Sequence, residues 1–466
     1  MLLDIEQTER ELIVSYYNKE GKVSFKRYPV DKFQNWTIAK DGDKWQDQNF
    51  KNWDGRSIKR SISKSFNKFS LLYFMDSLPE KDKEEIYEFN MPRTYFVDIE
   101  TEIVDGFPKP EEAKSRILSF SIITPERKAI VLGLKDMSPA EIKKIEDDTN
   151  AHFKDYDQDW EFSYYKFKDE YNMLYTFLHK FLPKFPMMTG WNFINYDWQY
   201  IVNRCKRLQI DLTQVAITGS LDKKDSRPLH MGILDYMQLY DKYDRSVAVK
   251  ESNSLNFVSG AVLDVAKIKY TGGLQELYEN NFQKYIYYNV VDSCLVYYID
   301  EKLRSMEVLL TLATITRMPL YKAASPVAVT ESLIARKLAA DNKKIAVEWD
   351  RDTKKDTKYE GAFVKQPIVG YYSGVSAFDF ASLYPSVMRQ FNISPDSFVE
   401  MIPEMEVIQK RKEPGIIVCE NGAVYKKEDS MLKLILSDLY GQRKEYKKTS
   451  YTYYEKAHEL KKKFKV

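Results

Sequence analysis

An apolar strand that carries two acids, Thr94 to Glu100, most constrains how this chain can fold. Side chains alternate between the two faces of a strand, so Asp98 and Glu100 share one face. Two neighbouring carboxylates repel each other unless a cation lies between them, and such pairs are typical of two-metal nuclease sites. The alternative is an exposed acidic sheet edge, which Phe96 and Val97 disfavour because they indicate a buried strand.

The composition describes an ordinary globular protein with several cores. Its 466 residues are enough for about three domains, with 44% apolar and 30% charged residues. No run approaches the ~20 apolar residues of a membrane span, and no leader is expected. Three scattered cysteines indicate a reducing compartment and show no zinc spacing. A net charge of +2 means that a nucleic-acid partner would need local basic patches, such as 443–465 with nine Lys/Arg and three Glu.

Two later stretches carry acids that are ambiguous when read alone. Asp197 precedes a predicted helix from Trp198 to Arg207, and capping of that helix is its likelier local role. Tyr288 and Asp292 are four apart in a predicted helix and therefore share a face, where they could hold a water molecule and a metal ion. This spacing alone is weak evidence.

A third stretch runs from Ser376 to Ser386. The apolar run from Val375 to Phe378 predicts a buried strand that ends at Asp379, followed by a tight turn and an amphipathic helix. Such a corner can bind a metal ion through the carboxylate and phosphate through free backbone N–H groups. From the local pattern alone, a strand-turn-helix corner with a capping Asp is the favoured interpretation.

The rest of the chain predicts scaffold elements. A hairpin turned at Gly21 begins a small mixed domain, and 219–229 is predicted to be an exposed hairpin or loop. A new sheet region is expected from Glu360 to Val364, and a short hairpin around Asn421-Gly422. A helix is predicted to continue through Arg443 to the basic end of the sequence.

The residues of these stretches resemble sequence motifs of the family B DNA polymerases. Ser382-Leu383-Tyr384-Pro385-Ser386 after Asp379 is similar to the D-x-x-S-L-Y-P-S motif, in the style of tailed-bacteriophage replicative enzymes. The earlier acids resemble, in order, the three motifs of the fused 3′-5′ exonucleases. These are Asp98-Ile99-Glu100, Asn192-x-x-x-Tyr196-Asp197 and Tyr288-x-x-x-Asp292.

For the exonuclease, the resemblance implies that four acids ligate two Mg²⁺ or Mn²⁺ ions. They are Asp98, Glu100, Asp197 and Asp292. It also implies that Tyr288 orients the attacking water, and that Phe107 and Asn192 contact the DNA, with Phe107 packed against the frayed primer end. The segment 219–229 matches in position a hairpin that helps to transfer the primer between sites.

For the polymerase, the resemblance implies that Asp379 holds the catalytic metal ions, two in the complete site. The turn that includes Phe380, Ser382 and Leu383 would contact the triphosphate of the dNTP substrate, and Tyr384 would exclude ribonucleotides by a steric clash. Gln442-Arg443-Lys444-x-x-Lys447 resembles the first fingers helix, where Arg443 and Lys447 would grip the phosphates; a solvated basic face is the alternative.

The resemblance implies a mixed α/β fold with four parts. We expect an N-terminal domain at 1–93, joined by 306–350, and an RNase H-like 3′-5′ exonuclease domain at 94–305. A partial palm with a ferredoxin-like sheet is expected at 351–429, and a partial fingers region with its first helix at 430–466.

Two motifs of the family have no counterpart in these 466 residues. They are the second fingers motif and the palm hairpin with the second catalytic aspartate. A two-metal polymerase site needs both carboxylates, so we expect polymerisation only with a second subunit that carries the rest. A truncated product is the alternative, and a stand-alone single-strand exonuclease with a DNA-binding palm remnant is the rival function. Expected partners are primer-template and single-stranded DNA, and a sliding clamp through that subunit, in the host cytoplasm if the chain is phage-encoded.

Overall fold

The computed structural model forms two compact units. It describes residues 1–464 except 9, 30–32, 41, 45, 64–66, 105, 157–158, 217–218, 223–224, 229, 245–250 and 347–362. Unit 1 comprises Met1–Asp31 and Ser77–Val329, and unit 2 comprises Lys32–Asp76 and Thr330–Val466. These boundaries differ from the predicted ones at 93 and 305, and the division into four domains stays a prediction.

The strands pair into four sheets. In chain order they are β1 (Leu2–Gln7), β2 (Glu11–Tyr17), β3 (Val23–Pro29), β4 (Phe33–Ile38), β5 (Gln46–Asn52), β6 (Ser57–Ser63), β7 (Thr94–Thr101), β8 (Ile117–Ile123), β9 (Lys128–Gly133), β10 (Glu161–Lys166), β11 (Met187–Gly190), β12 (Gly232–Asp235), β13 (Lys343–Lys344), β14 (Phe398–Met401), β15 (Ile416–Val418) and β16 (Ala423–Lys426). Together with the helices they confirm the mixed α/β class.

Helices make up much of the described part of the chain's second half. In chain order they are α1 (Lys68–Asp76), α2 (Glu80–Tyr87), α3 (Pro139–His152), α4 (Glu170–Thr176), α5 (Gln199–Arg207), α6 (Tyr236–Tyr243), α7 (Leu255–Leu263), α8 (Leu274–Asn280), α9 (Phe282–Leu303), α10 (Ser305–Thr316), α11 (Leu320–Ala323), α12 (Pro326–Ala340), α13 (Leu383–Gln390), α14 (Val407–Lys410) and α15 (Met431–Phe464). Single π-helical turns at Phe177–Phe181 and Ile194–Trp198 adjoin α4 and α5. None of the helices in the described part of the chain is both long and apolar enough to cross a membrane.

Unit 1 is built around a six-stranded sheet in which β7 is central. The strand order is β10-β9-β8-β7-β11-β12, with β8 antiparallel to its two neighbours and the other pairs parallel. The apolar residues of β7 are divided between two cores: Phe96 packs on one face, and Val97 and Ile99 pack on the other. Strand alternation therefore directs Asp98 and Glu100 to the face of Phe96. The predicted strand at Thr94 to Glu100 is confirmed.

The 22-residue helix α9 covers the Phe96 face of this sheet. Its buried stripe includes Val290 and Val291 in the same core as Phe96. Asn289 and Asp292 lie on the buried surface of α9 as well, so the helix brings polar groups to the acidic side of β7. This packing creates a polar site inside an otherwise apolar interface.

A small three-stranded sheet, β1-β2-β3, completes unit 1. The predicted turn at Gly21 is confirmed, and its φ of +76° needs glycine. The prediction of an exposed hairpin or loop at 219–229 is wrong in part, because Arg227 within it is buried. A single bridge joins Leu221 to Pro228, and Arg227 is buried against Asp4 of β1 at 2.5 Å, because an arginine can enter a core when a carboxylate neutralises it.

Unit 2 contains a four-stranded sheet, β13-β5-β6-β4, and a separate three-stranded sheet, β14-β16-β15. Trp36 and Tyr73 form a small core with edge-to-face rings 5.4 Å apart, and the Lys344 ammonium lies 4.1 Å from the Tyr73 ring centroid. The predicted hairpin around Asn421-Gly422 is confirmed by the pairing of β15 with β16. The ferredoxin-like assignment of the palm stays a prediction.

The prediction of a buried strand before Asp379 is wrong. Residues 363–380 contain no strand, and Val375 and Phe378 are exposed. None of the described strands pairs with this segment, and an unpaired strand would leave its N–H and C=O groups without partners, so its apolar residues cannot be buried as a sheet. The predicted turn and helix that follow are confirmed: Ser382 is left-handed, with φ of +52°, and α13 begins at Leu383. Glu360 to Ala362 lie outside the described residues.

Candidate active site

Four acids from three separate elements line one cavity in unit 1. The cavity has a volume of about 310 Å³, and its acidic residues are Asp98, Glu100, Asp197 and Asp292. Tyr288, Phe107 and Asn192 line the same cavity. The structure therefore brings together all of the residues that the sequence predicted for an exonuclease site.

A π-helical turn positions Asp197. The turn Ile194–Trp198 directly precedes α5. Asn192, the first residue of the motif that contains Asp197, has a left-handed backbone with φ of +57°. Asp197 Oδ1 accepts the backbone N–H of Ile99 at 3.0 Å, which ties the turn to β7. The interpretation of Asp197 as a helix cap is wrong, because α5 has Trp198 at its cap position and no side-chain cap bond.

Helix α9 supplies two further side chains. Asn289 donates its Nδ2 to Asp98 Oδ2 at 2.6 Å, and its Oδ1 accepts from Ser119 Oγ at 3.1 Å. Three residues later, Asp292 is buried and lines the same cavity. Asn289 thus fixes the orientation of Asp98, and the sequence analysis did not identify it because a buried amide in an apolar helix has no distinctive pattern.

Lys267 lies among the acids and was also not predicted. Its Nζ is 2.5 Å from Asp292 Oδ2 and 4.9 Å from the centre of the Tyr288 ring. Burial opposes its charge, but Asp292 and the other acids raise its pKa above the ordinary value. Lys267 follows α7 in an irregular segment, so no periodicity marks it.

Burial and mutual repulsion raise the pKa values of the acids in this cavity. Burial raises the pKa of Asp98 to about 7, and the charge of Asp292 adds to the rise while Lys267 opposes it. Burial and then the charge of Asp98 raise the pKa of Glu100 and of Asp197 well above their ordinary values. A group of buried carboxylates with raised pKa values is stabilised by any cation that enters it.

The donor set fits a divalent cation in type and charge. Carboxylate oxygens are the ligands that Mg²⁺ and Mn²⁺ prefer, and Asp292 Oδ1 is buried without a hydrogen-bond partner. Within the described part of the chain, no three His, Cys, Asp or Glu side chains are already arranged to hold an ion. The acids instead face Asn289, the Ile99 N–H and Lys267, which an ion would have to replace in part.

Aromatic side chains also line this cavity. Phe107 is 76% exposed, and its ring lies 5.4 Å from that of Tyr196. A second cavity, of about 450 Å³, shares Asp98, Asp292, Lys267 and Trp191 with the first. Asp98 and Asp292 therefore line both cavities, and an exposed aromatic ring borders the one that also contains Glu100 and Asp197.

Comparison with known families assigns both halves of the chain. A family model described as "DNA polymerase family B, exonuclease domain" matches residues 53–243, and one described as "DNA polymerase family B" matches residues 317–461. The chain belongs to DNA polymerase family B. Tyr288 and Asp292 lie between the two matched ranges, so their roles in this family B chain stay predictions.

Relatives of this family B chain include viral and archaeal enzymes. A "DNA-directed DNA polymerase" of Escherichia phage RB69 is 28% identical over 407 residues, which cover 81% of this chain and 44% of the relative. The enzyme of that name from Enterobacteria phage T4 is 28% identical over 61% of this chain and 33% of its own length. A "DNA polymerase" of Archaeoglobus fulgidus is 25% identical over 68% and 36%. The chain spans less than half the length of these relatives.

The polymerase-motif residues lie in unit 2 and are exposed. Asp379 and Phe380 are in the coil before α13, and Leu383 and Tyr384 begin that helix. Arg443 and Lys447 lie one turn apart on α15, exposed to solvent. Among the described residues, no hydrogen bond or ion pair joins the segment from Asp379 to Tyr384 with Arg443 or Lys447. An ordered link between α13 and α15 does exist: Arg389 Nε donates to Ser437 Oγ at 3.0 Å.

Proposed function

We propose that unit 1 is a 3′-5′ exonuclease that hydrolyses the phosphodiester bond at the end of single-stranded DNA. The observation that carries the proposal is the convergence of Asp98, Glu100, Asp197 and Asp292 on one cavity. The match of residues 53–243 to the family's exonuclease domain supports the same activity. The exposed ring of Phe107 supports a substrate with unpaired bases, since every base can stack on an aromatic face.

The four acids would hold two divalent cations, which when bound supply activation of the attacking water and stabilisation of the leaving 3′ oxygen. Asn289 and the Ile99 N–H keep Asp98 and Asp197 in fixed orientations. Burial and then the charge of Asp292 raise the pKa of Tyr288, so its hydroxyl stays neutral and can orient a water molecule by hydrogen bonding. Lys267 carries the positive charge that can attract the phosphate as the cavity fills.

The second part of the proposal concerns nucleotidyl transfer. Asp379 would hold the polymerase metal ions, the turn from Phe380 to Leu383 would bind the dNTP phosphates, and Tyr384 would select deoxyribose. Arg443 and Lys447 would grip the phosphates from the fingers helix. The match of residues 317–461 to family B supports these roles.

We infer that this transfer needs sequence beyond these 466 residues. The relatives extend well past the part that this chain matches, and the motif with the second palm carboxylate is not present here. A second subunit would supply the remaining palm, fingers and thumb, bind primer-template DNA together with this chain, and recruit a sliding clamp. A host-cytoplasm location stays a prediction.

A stand-alone exonuclease is the second candidate function. The observation that favours it is the exposure of the Asp379 segment, which contrasts with the ordered acidic cavity of unit 1. Primer extension by this chain mixed with a polypeptide that carries the missing motifs distinguishes the two. Extension that is lost with Asp379→Ala supports the polymerase, whereas extension that survives Asp379→Ala contradicts the role of that residue.

The exonuclease is tested by digestion of 5′-labelled single-stranded DNA with Mg²⁺. We expect a ladder that shortens from the 3′ end, stops with EDTA, and is absent in the double variant Asp98→Ala with Glu100→Ala. The matched control is Glu111→Ala with Asp147→Ala, which removes two exposed acids from the same unit. Undiminished digestion by the Asp98 and Glu100 variant would refute the site assignment.

A further inference from the structure

One face of helix α5 and its preceding turn forms hydrogen bonds with the loop that carries Phe107. This loop joins β7 to β8. Five side chains, at helical spacings of three and four, contact consecutive parts of its backbone, and we call them the clamp face: Tyr196, Tyr200, Asn203, Arg204 and Arg207.

Each member of the clamp face donates to a backbone carbonyl. Tyr196 Oη donates to Pro108 O at 3.4 Å and Asn203 Nδ2 to Pro110 O at 2.9 Å. Further along the loop, Arg207 Nε donates to Glu112 O at 2.5 Å and Tyr200 Oη to Ser115 O at 2.9 Å. These hydrogen bonds fix the position of the loop backbone. They do not depend on which side chains the loop carries.

Arg204 is the buried centre of the clamp face. It is 9% exposed and forms a double hydrogen bond with Glu170, both at 2.7 Å. Its remaining nitrogen donates to Ala113 O at 3.1 Å and Lys114 O at 2.9 Å. Glu170 also accepts a hydrogen bond from the Ile117 N–H at 2.7 Å, so the Arg204–Glu170 pair holds the loop at the first residue of β8.

Ala113 closes a tight turn inside the loop, where its N–H donates to Lys109 O at 2.9 Å. It is fully buried and has a left-handed backbone with φ of +41°, a conformation that is unfavourable for an L-residue with a side chain. Such a conformation persists only where surrounding contacts fix it. The bond from Arg204 to the Ala113 carbonyl, at 3.1 Å, is one of these contacts and joins the turn to α5.

The same helical segment carries a candidate metal ligand and the clamp. Asp197 lies in the π-helical turn directly before α5, one residue after Tyr196. Phe107 is mostly exposed and so has little packing of its own beyond the ring of Tyr196. Its distance from the acids is therefore set by the loop backbone. The clamp face holds the part of that backbone from Pro108 to Ser115, together with the loop's own backbone hydrogen bonds.

We propose that Tyr200, Asn203 and Arg204 are positioning residues that hold Phe107 at a fixed distance from the acidic cavity. This inference rests on the proposed exonuclease function. The ligand class is the terminal unpaired nucleotide of a DNA strand, whose base would stack on Phe107 while its phosphate reaches the acids. Loosening the clamp lets the Phe107 loop move and weakens capture of the strand, while the acids keep their geometry.

The test is a mutant cycle on single-stranded DNA digestion. Tyr200→Phe with Asn203→Ala removes two clamp bonds, and we expect KM to rise about three- to tenfold with kcat within twofold of wild type. Phe107→Ala should raise KM by a similar factor. In the Phe107→Ala background the clamp changes should add nothing further, because they act through that ring. Multiplicative KM effects would overturn the proposal, as would an unchanged KM in the clamp variant.

A second measurement does not depend on activity. Hydrogen exchange should become faster at the amides of 106–116 in the Tyr200→Phe, Asn203→Ala variant and stay unchanged in β7. Gln199→Ala is the control, since it removes an amide from the same helix that has no hydrogen bond to the loop within the described structure. Unchanged exchange in the loop would refute the clamp. Faster exchange in a chain that digests no DNA would support the clamp and refute the proposed function.

Discussion

Replacing Lys267 by methionine should destabilise unit 1 in the absence of metal ions and make it more dependent on them. The ammonium lies 2.5 Å from Asp292 Oδ2, and the two side chains are 25% and 7% exposed. Methionine keeps the length of the side chain but leaves the carboxylate buried without a counter-ion. A divalent cation that enters the cavity would restore the missing positive charge.

The structure sets the size of this effect. Removing one partner of a buried ion pair costs about 3–5 kcal/mol, and the partial exposure of Lys267 places the loss near the lower end, at about 3 kcal/mol. For a unit of this size that corresponds to a fall in Tm of about 5 °C. A cation at 100 times its Kd adds about 2.7 kcal/mol to the folded state, enough to offset most of the loss.

Thermal unfolding at pH 8 measures both parts of the prediction. In EDTA the Lys267→Met variant should melt well below wild type, and Mn²⁺ should raise its Tm more than that of wild type. The difference in EDTA should shrink near pH 5, because burial raises the pKa of Asp292 and the protonated carboxyl needs no counter-ion. Lys269→Met, at an exposed position two residues away, is the control. A Lys267→Met variant with wild-type Tm in EDTA would refute the reasoning.

Two further predictions concern α9. Burial raises the pKa of Asp300 from 3.8 to about 6, so the folded state binds the proton more tightly between those values and stability falls as the pH rises through them. Asp300→Asn should therefore increase the free energy of unfolding by about 3 kcal/mol at pH 8 and by nothing below pH 4, as measured by urea denaturation at both pH values. Equal effects at both pH values would contradict this prediction. Tyr288→Phe should lower kcat for DNA digestion about tenfold or more without changing Tm, because only the hydroxyl that would orient water is lost. Wild-type kcat in that variant would exclude the role.

Sequence located the four acids through the order of their motifs and the family resemblance, because the local patterns around Asp197 and Asp292 were ambiguous alone. The apolar strand around Asp98 and Glu100 predicts both the element and the shared face, and β7 confirms it. Helix α9 is equally clear from the residues around Asp292. In these elements local periodicity and tertiary packing favour the same structure.

Other features depend on contacts that are distant in the sequence. Lys267 is 25 residues from Asp292 and lies in an irregular segment, so only the folded chain brings them together. The π-helical turn at Asp197 is a packing adjustment that propensity does not encode. Arg227 was expected at the surface, yet Asp4 holds it in the core. The run before Asp379 has a strand-like composition but no described strand to pair with.

The central claim is that four acids from β7, the π-helical turn and α9 form a two-metal site. The most direct measurement is the number of Mn²⁺ ions bound per chain, counted by electron paramagnetic resonance with a single-stranded oligonucleotide whose terminal linkage resists hydrolysis. The account predicts two ions associated with unit 1 in an Asp379→Ala background, and their loss when Asp98→Ala and Glu100→Ala are added. Two ions that remain bound after the Asp98 and Glu100 substitutions would contradict it.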